Sequence, residues 1–196
     1  MGYVSRLLEI GKLIPAETSH AEKTICTISL PWLGELSRNV ILSLHEAARD
    51  IGPGRGKLNV YVPETNAEEI NKLFMDLPHC IVKPISDGYI RSLLNSQSAV
   101  IYGGYNSVLD VIAAGIPALV ILRSTRDGEQ QEHLLRLQAS VGGNLQIIEE
   151  DKVSGQRVKK LLQDLMARTP SLSADINCCG AERTAKYLHN ILMENK

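Results

Sequence analysis

Short runs of β-branched and aliphatic residues alternate with segments whose apolar positions recur every three or four residues, and this alternation runs through most of the chain. Residues 23–29 (KTICTIS) read as a first strand. Residues 36–50 follow as a helix, with Leu36, Val40, Leu44, Ala47 and Ile51 on one stripe. A turn at Pro53 and Gly54 leads to a second strand at 58–62. The next helix opens with Asn66 as its cap, and Glu68 and Glu69 stand in its first turn, where the helix dipole favours acids. The same rhythm predicts strands at 80–83, 99–102, 118–122 and 146–148, and helices at about 87–95, 106–114, 129–141 and 156–166. Gly115 and Pro117 end the 106–114 helix, since glycine accepts the left-handed cap and proline cannot continue a helix. A last helix, about 175–193, sets Ala185, Leu188 and Leu192 near one face.

Six strands separated by helices imply a parallel sheet covered on both faces, because each crossover needs a helix to return the chain to the same end. The predicted fold is therefore α/β, a Rossmann-like doubly wound sheet. Such sheets bind ligands beyond the carboxyl ends of their strands, so chemistry is to be sought in the loops that follow strands. Residues 1–22 do not fit the alternation and read as a connecting segment, leaving 23–196 as one domain.

Composition narrows the partners. With 196 residues, 44% of them hydrophobic, one compact core is expected. A formal charge of −1, with Lys and Arg spread along the chain, offers no basic patch for nucleic acid or anionic lipid, which points to a small molecule or another protein. Cys26, Cys80, Cys178 and Cys179 lack the spacing of a zinc or redox site and read as reduced thiols. No apolar run is long enough for a membrane span and no signal-peptide pattern opens the chain, so the expected setting is cytoplasmic.

The strongest local signal is the run from Tyr102 through Gly103, Gly104, Tyr105, Asn106, Ser107, Val108 and Leu109 to Asp110, where a buried strand ends in two glycines and a helix begins. Glycine lets an anionic ligand approach the backbone, and Asn106 or Ser107 stands where a cap leaves free N–H groups beside the positive helix end. That pattern suits a pyrophosphate. It equally suits a tight turn that needs glycine only for its dihedrals. Asp110, four residues after Asn106, can accept both hydroxyls of a ribose or simply complement the helix dipole.

The ordered string Gly103-Gly104, Asn106-Ser107, Asp110, residues 113–117 (AAGIP) and Glu129-Gln130-Gln131 resembles the donor-binding segment of the MurG-like glycosyltransferases, whose fold is the two-domain GT-B type. The match is nearest to predicted transferases with Gly-Gly-Tyr-Asn at this place, and a weaker resemblance runs over nearly the whole chain as a C-terminal half. The resemblance implies a metal-independent transferase with no cofactor, whose substrate is a nucleotide-diphosphate sugar, UDP-linked. It gives Gly104, Asn106 and Ser107 to the diphosphate, Asp110 to the ribose and Gln130 or Gln131 to the donor sugar, with Gly103 also among the nucleotide-sugar-binding residues. It also aligns Ile85 and Ser86 with the loop that meets the base, and Arg6 with an arginine near the domain linker. The family's catalytic base lies in the N-terminal domain, so the partner implied is that acceptor domain or a separate chain, and this chain alone is expected to be inactive.

One departure stands out. Where the family has a glycine-rich loop after the first strand, this chain has residues 29–34 (SLPWLG), which puts phosphate contact from that loop in doubt and makes Trp32 a candidate contact for a partner domain. Arg123 and Arg126 are candidate phosphate neighbours in the loop after a strand. His20, His45, His79, His133 and His189 show no metal spacing and no triad context. The alternatives are a nucleotide-sugar 2-epimerase or hydrolase half, although paired acids for it are not evident, and a non-catalytic nucleotide-binding module. A dinucleotide oxidoreductase is disfavoured because no GxGxxG follows the first strand.

Overall fold

The computed structural model describes residues 24–30, 34–85, 88–123, 128–168 and 180–194. The proposed connecting segment 1–22, with Arg6, lies outside them, as do Trp32, Ser86, Arg126, Cys178 and Cys179. Six parallel strands form one sheet: β1 (Thr24–Ser29), β2 (Lys57–Val62), β3 (Cys80–Pro84), β4 (Ser96–Tyr102), β5 (Ala118–Leu122) and β6 (Leu145–Glu149). Their order across the sheet is β3-β2-β1-β4-β5-β6. The helices are α1 (Glu35–Ile51), α2 (Glu64–Leu73), α3 (Gly88–Leu94), α4 (Tyr105–Ala114), α5 (Glu129–Val141), α6 (Gly155–Met166) and α7 (Gly180–Glu194). This is the doubly wound Rossmann-like fold that the alternation predicts.

Two cores follow from covering both faces. On one face Val40, Leu44 and Ala47 of α1, Ile70 of α2 and Val158, Leu162 and Leu165 of α6 pack on Ile28, Val60, Val100 and Leu119. On the other, Ile90 and Leu93 of α3, Val108, Val111 and Ile112 of α4 and Leu134 of α5 pack on Ala99, Ile101 and Val120. Strands buried on both faces read as near-continuous apolar runs, which is why β1, β4 and β5 were legible.

The structure corrects several details. The buried stripe of α1 takes in Ser37, Ile41 and Ala48, while Leu36 is 44% exposed. Helix α2 begins at Glu64 behind Pro63, so Asn66 lies inside its first turn, its N–H bonded to the Pro63 carbonyl, and Glu64 is the first-turn acid. Strand β4 starts three residues earlier than its apolar run, because the polar side chains there are satisfied in place. Ser96 Oγ lies 2.6 Å from Thr27 Oγ1, and Ser98 Oγ donates to the Ile25 carbonyl at 3.0 Å. Gly115 caps α4 at φ 69°, as expected of a left-handed glycine terminus. On α7, Ala185, Leu188 and Leu192 are all exposed rather than docked on the core.

Candidate functional site

The strand order reverses between β1 and β4, and the loops leaving their carboxyl ends open a crevice there. Helix α1 starts behind β1 and α4 behind β4. Both starts therefore face the place where a doubly wound sheet receives its ligand.

The turn after β4 divides its two glycines between different jobs. The Gly103 amide donates to the Ile121 carbonyl at 2.9 Å, tying the turn to β5. A Cβ on Gly103 would come within 2.9 Å of Leu134 Cδ1 and 3.4 Å of Val120 Cγ1, so a side chain here would have to displace the end of the buried Leu134 where α5 approaches the sheet. Gly104 has no such requirement. Its φ of −67° and ψ of 141° suit any residue, and a Cβ built there meets no described residue within 4 Å. Among the described residues the turn is open beside Gly104.

Gly104, not Asn106 or Ser107, caps α4, which starts one residue earlier than its sequence pattern suggests. The first intrahelical bond runs from the Val108 N–H to the Gly104 carbonyl, so the amides of Asn106 and Ser107 lie upstream of it, at the positive end of the helix dipole. Asn106 is exposed and Ser107 half-buried. The Tyr105 ring turns away along α5, with its centroid 4.2 Å from that of His133 and its hydroxyl 3.4 Å from Glu129 Oε1. Asp110, the sixth residue of α4, is 1% exposed.

The other expected residues are more dispersed. Gln130 is half-buried at the start of α5, and Gln131 lines a cavity of about 250 Å³ with Leu122, Gln146 and Arg157 beside β6. Ile85 follows β3 at the edge of the sheet. Its N–H donates to the Val62 carbonyl at 2.9 Å, so only its carbonyl is left to meet a base edge. Arg123 lies over the Tyr102 ring, 5.5 Å from its centroid. Cys26 and Cys80 are free thiols, and burial pushes each up to about 12. Among the described residues no cluster of ligating side chains could hold a metal ion, and no helix is long and apolar enough to cross a membrane.

Sequence reasoning missed a buried polar cluster on the α1 side. Tyr102, the last residue of β4, donates its hydroxyl to Glu150 Oε1 at 2.7 Å. Ser37 Oγ lies 3.2 Å from the same hydroxyl and donates to Glu150 Oε1 at 3.3 Å, while accepting from the Gly34 N–H at 3.1 Å. Glu150 is 5% exposed, and among the described residues no cation stands within ion-pairing distance of it. Burial first, then the hydrogen bond and charge of Glu150, holds the Tyr102 hydroxyl well above the usual tyrosine range, against the opposing effects of Ser37 and Arg123. Two signals were available in the sequence: a tyrosine in an aliphatic strand, and a serine on the buried stripe of α1. Glu150 gave none, because residues 149–151 (EED) look like a solvated acidic turn.

No protein family matches the chain and no curated protein does. Solved structures do. MurG from Acinetobacter baumannii superposes with a TM-score of 0.59 at 17% identity, covering 79% of this chain and 45% of that one. The spinosyn rhamnosyltransferase SpnG, complexed with thymidine diphosphate, gives 0.57 at 18% identity, covering 82% and 42%. A Listeria monocytogenes protein assigned as a UDP-N-acetylglucosamine 2-epimerase gives 0.57 at 13% identity, covering 98% and 53%. The fold is that of the C-terminal domain of GT-B glycosyltransferases, and the chain spans about half the length of these structures.

Proposed function

We propose that this chain is the donor-binding half of a glycosyltransferase that takes a nucleotide-diphosphate sugar, with UDP as the nucleotide. The observation that carries the reading is Gly104, the cap of α4, which neither its backbone angles nor any described neighbour requires to be free of a side chain, placed before the first amides of α4 at the switch point. A diphosphate approaching that backbone adds a reason for glycine, among the residues that cap helices well, to stand here. In this reading the amides of Asn106 and Ser107 and the α4 dipole hold the diphosphate, and they stabilise the charge that grows on it as the bond to the sugar breaks. Asp110 accepts the ribose hydroxyls, entered from the α4 side. Gln130 or Gln131 faces the sugar, and the Ile85 carbonyl meets the base beside Ser86. The acceptor and the catalytic base belong to a second domain or chain, which Arg6 and Trp32 adjoin.

The test is a thermal-shift comparison followed by calorimetric titration. A ligand that binds only the folded chain raises its apparent stability by about 2.7 kcal/mol at a hundredfold excess over Kd. UDP is expected to stabilise the chain more than NAD does, and the purified chain is expected to transfer no sugar. Tighter binding of NAD would overturn the nucleotide-sugar reading.

A further inference from the structure

The two helix starts at the crevice are not equivalent in charge. Among the described residues the α4 start has no side-chain cap, whereas the α1 start is answered by Ser37 and Glu150. Ser37 occupies the third position of α1, takes the Gly34 N–H on its oxygen and passes its own proton toward Glu150. The Glu150 carboxylate, buried and held by Tyr102 as well, supplies the negative charge that the positive end of α1 attracts. A second anion brought to the same helix end would meet the like charge of that carboxylate, whose burial leaves it less screened than an exposed acid.

We infer that Glu150 is a specificity-determining residue that closes the α1 start to phosphate, so that a donor diphosphate is held from the α4 side alone. The inference rests on the nucleotide-sugar reading above and adds to it a reason for the sequence between β1 and α1. A loop that does not touch phosphate has no need of a run of glycines, and residues 29–34 (SLPWLG) contain a single one. The buried acid and the missing glycines are then two parts of one arrangement.

Calorimetric titration of UDP and of uridine into the native chain, Glu150→Gln and Tyr102→Phe tests this. Glu150→Gln keeps an oxygen to accept from Tyr102 and Ser37 while removing the charge. It is expected to bind UDP about three- to tenfold more tightly than the native chain does, with a steeper salt dependence. Uridine, which has no phosphate, should bind both equally. Tyr102→Phe, which keeps the carboxylate, should show no gain. Should Glu150→Gln fail to fold, the double variant Glu150→Met with Tyr102→Phe replaces the buried polar pair by an apolar one and carries the same expectation. A native chain that binds no UDP overturns the nucleotide-sugar reading and the inference with it. A native chain that binds UDP, with a charge-free variant that binds it equally or more weakly, overturns the inference alone.

Discussion

Helices α1 and α4 begin in nearly the same way. Each follows a central strand of the sheet, and each is capped by a glycine in extended conformation, Gly34 and Gly104. What lies beyond the cap separates them. At α1 the protein has placed a serine and a buried carboxylate of its own, and at α4 no described residue fills the space beside the glycine. A glycine at a helix start therefore does not by itself mark a ligand site. The discriminating observation is whether the fold already answers the helix start with a side chain and a charge of its own.

The sharpest way to break this comparison is to add side chains to the two adjacent glycines. Gly103→Val drives a branched side chain into Leu134 and Val120 and is expected to cost about 2–3 kcal/mol of stability, the upper range for overpacking a core. Gly104→Ala should lower the urea-unfolding stability by no more than about 1 kcal/mol, the scale for replacing a good helix cap by alanine. It should still weaken UDP binding at least tenfold, about 1.4 kcal/mol. A Gly104→Ala chain that binds UDP normally would make the open space incidental and return this turn to a purely structural role.

The sequence made the larger part of this comparison readable and hid the smaller part. Strands and helices came through because buried parallel strands are continuous apolar runs and the helices carry a clear 3.6-residue period. Strand β5 and helix α5 were placed to the residue. The Gly103-Gly104 turn was legible because glycine pairs punctuate a sequence strongly, yet which glycine serves packing and which leaves space is decided by Leu134, thirty-one residues further on. The Ser37–Tyr102–Glu150 cluster joins residues up to 113 positions apart, and no local pattern announces such a contact. Burial of Asp110 was also out of reach, since its acid reads the same from the sequence whether it faces in or out.

Asp110 supplies the next test, of whether the α4 side reads more than phosphate. If its carboxylate accepts both ribose hydroxyls, Asp110→Asn should weaken UDP binding by about 1.5–3 kcal/mol, the scale for losing hydrogen bonds to a charged group. With 2′-deoxy-UDP the loss should be smaller, because one hydroxyl partner is already absent. Equal losses for the two ligands, or none for either, would leave Asp110 as a buried structural acid, in keeping with its 1% exposure.

The smallest expected effect concerns the closed side and needs no ligand. Burial and Glu150 hold the Tyr102 hydroxyl above its ordinary value of 10.0, so the folded chain keeps a proton that the unfolded chain releases as the pH rises past 10. Below about pH 9 both states hold it, and this contribution to stability is fully present. It is lost progressively as the pH rises through 10, by about 0.4 kcal/mol at pH 10 and about 0.8 kcal/mol at pH 10.5. Cys26 and Cys80, whose thiols burial pushes from 9.0 to about 12, and Tyr61, also raised by burial, add their own alkaline losses. Those losses persist when only Tyr102 is changed, so the quantity to measure is the difference between native and Tyr102→Phe chains in urea-unfolding stability from pH 9 to 10.5. A native curve that falls more steeply than the variant from about pH 9.5 upward, and runs parallel to it at about pH 9, shows the hydroxyl sealed against Glu150. Parallel curves throughout would mean that water reaches Tyr102, and that the α1 side is as open as the α4 side.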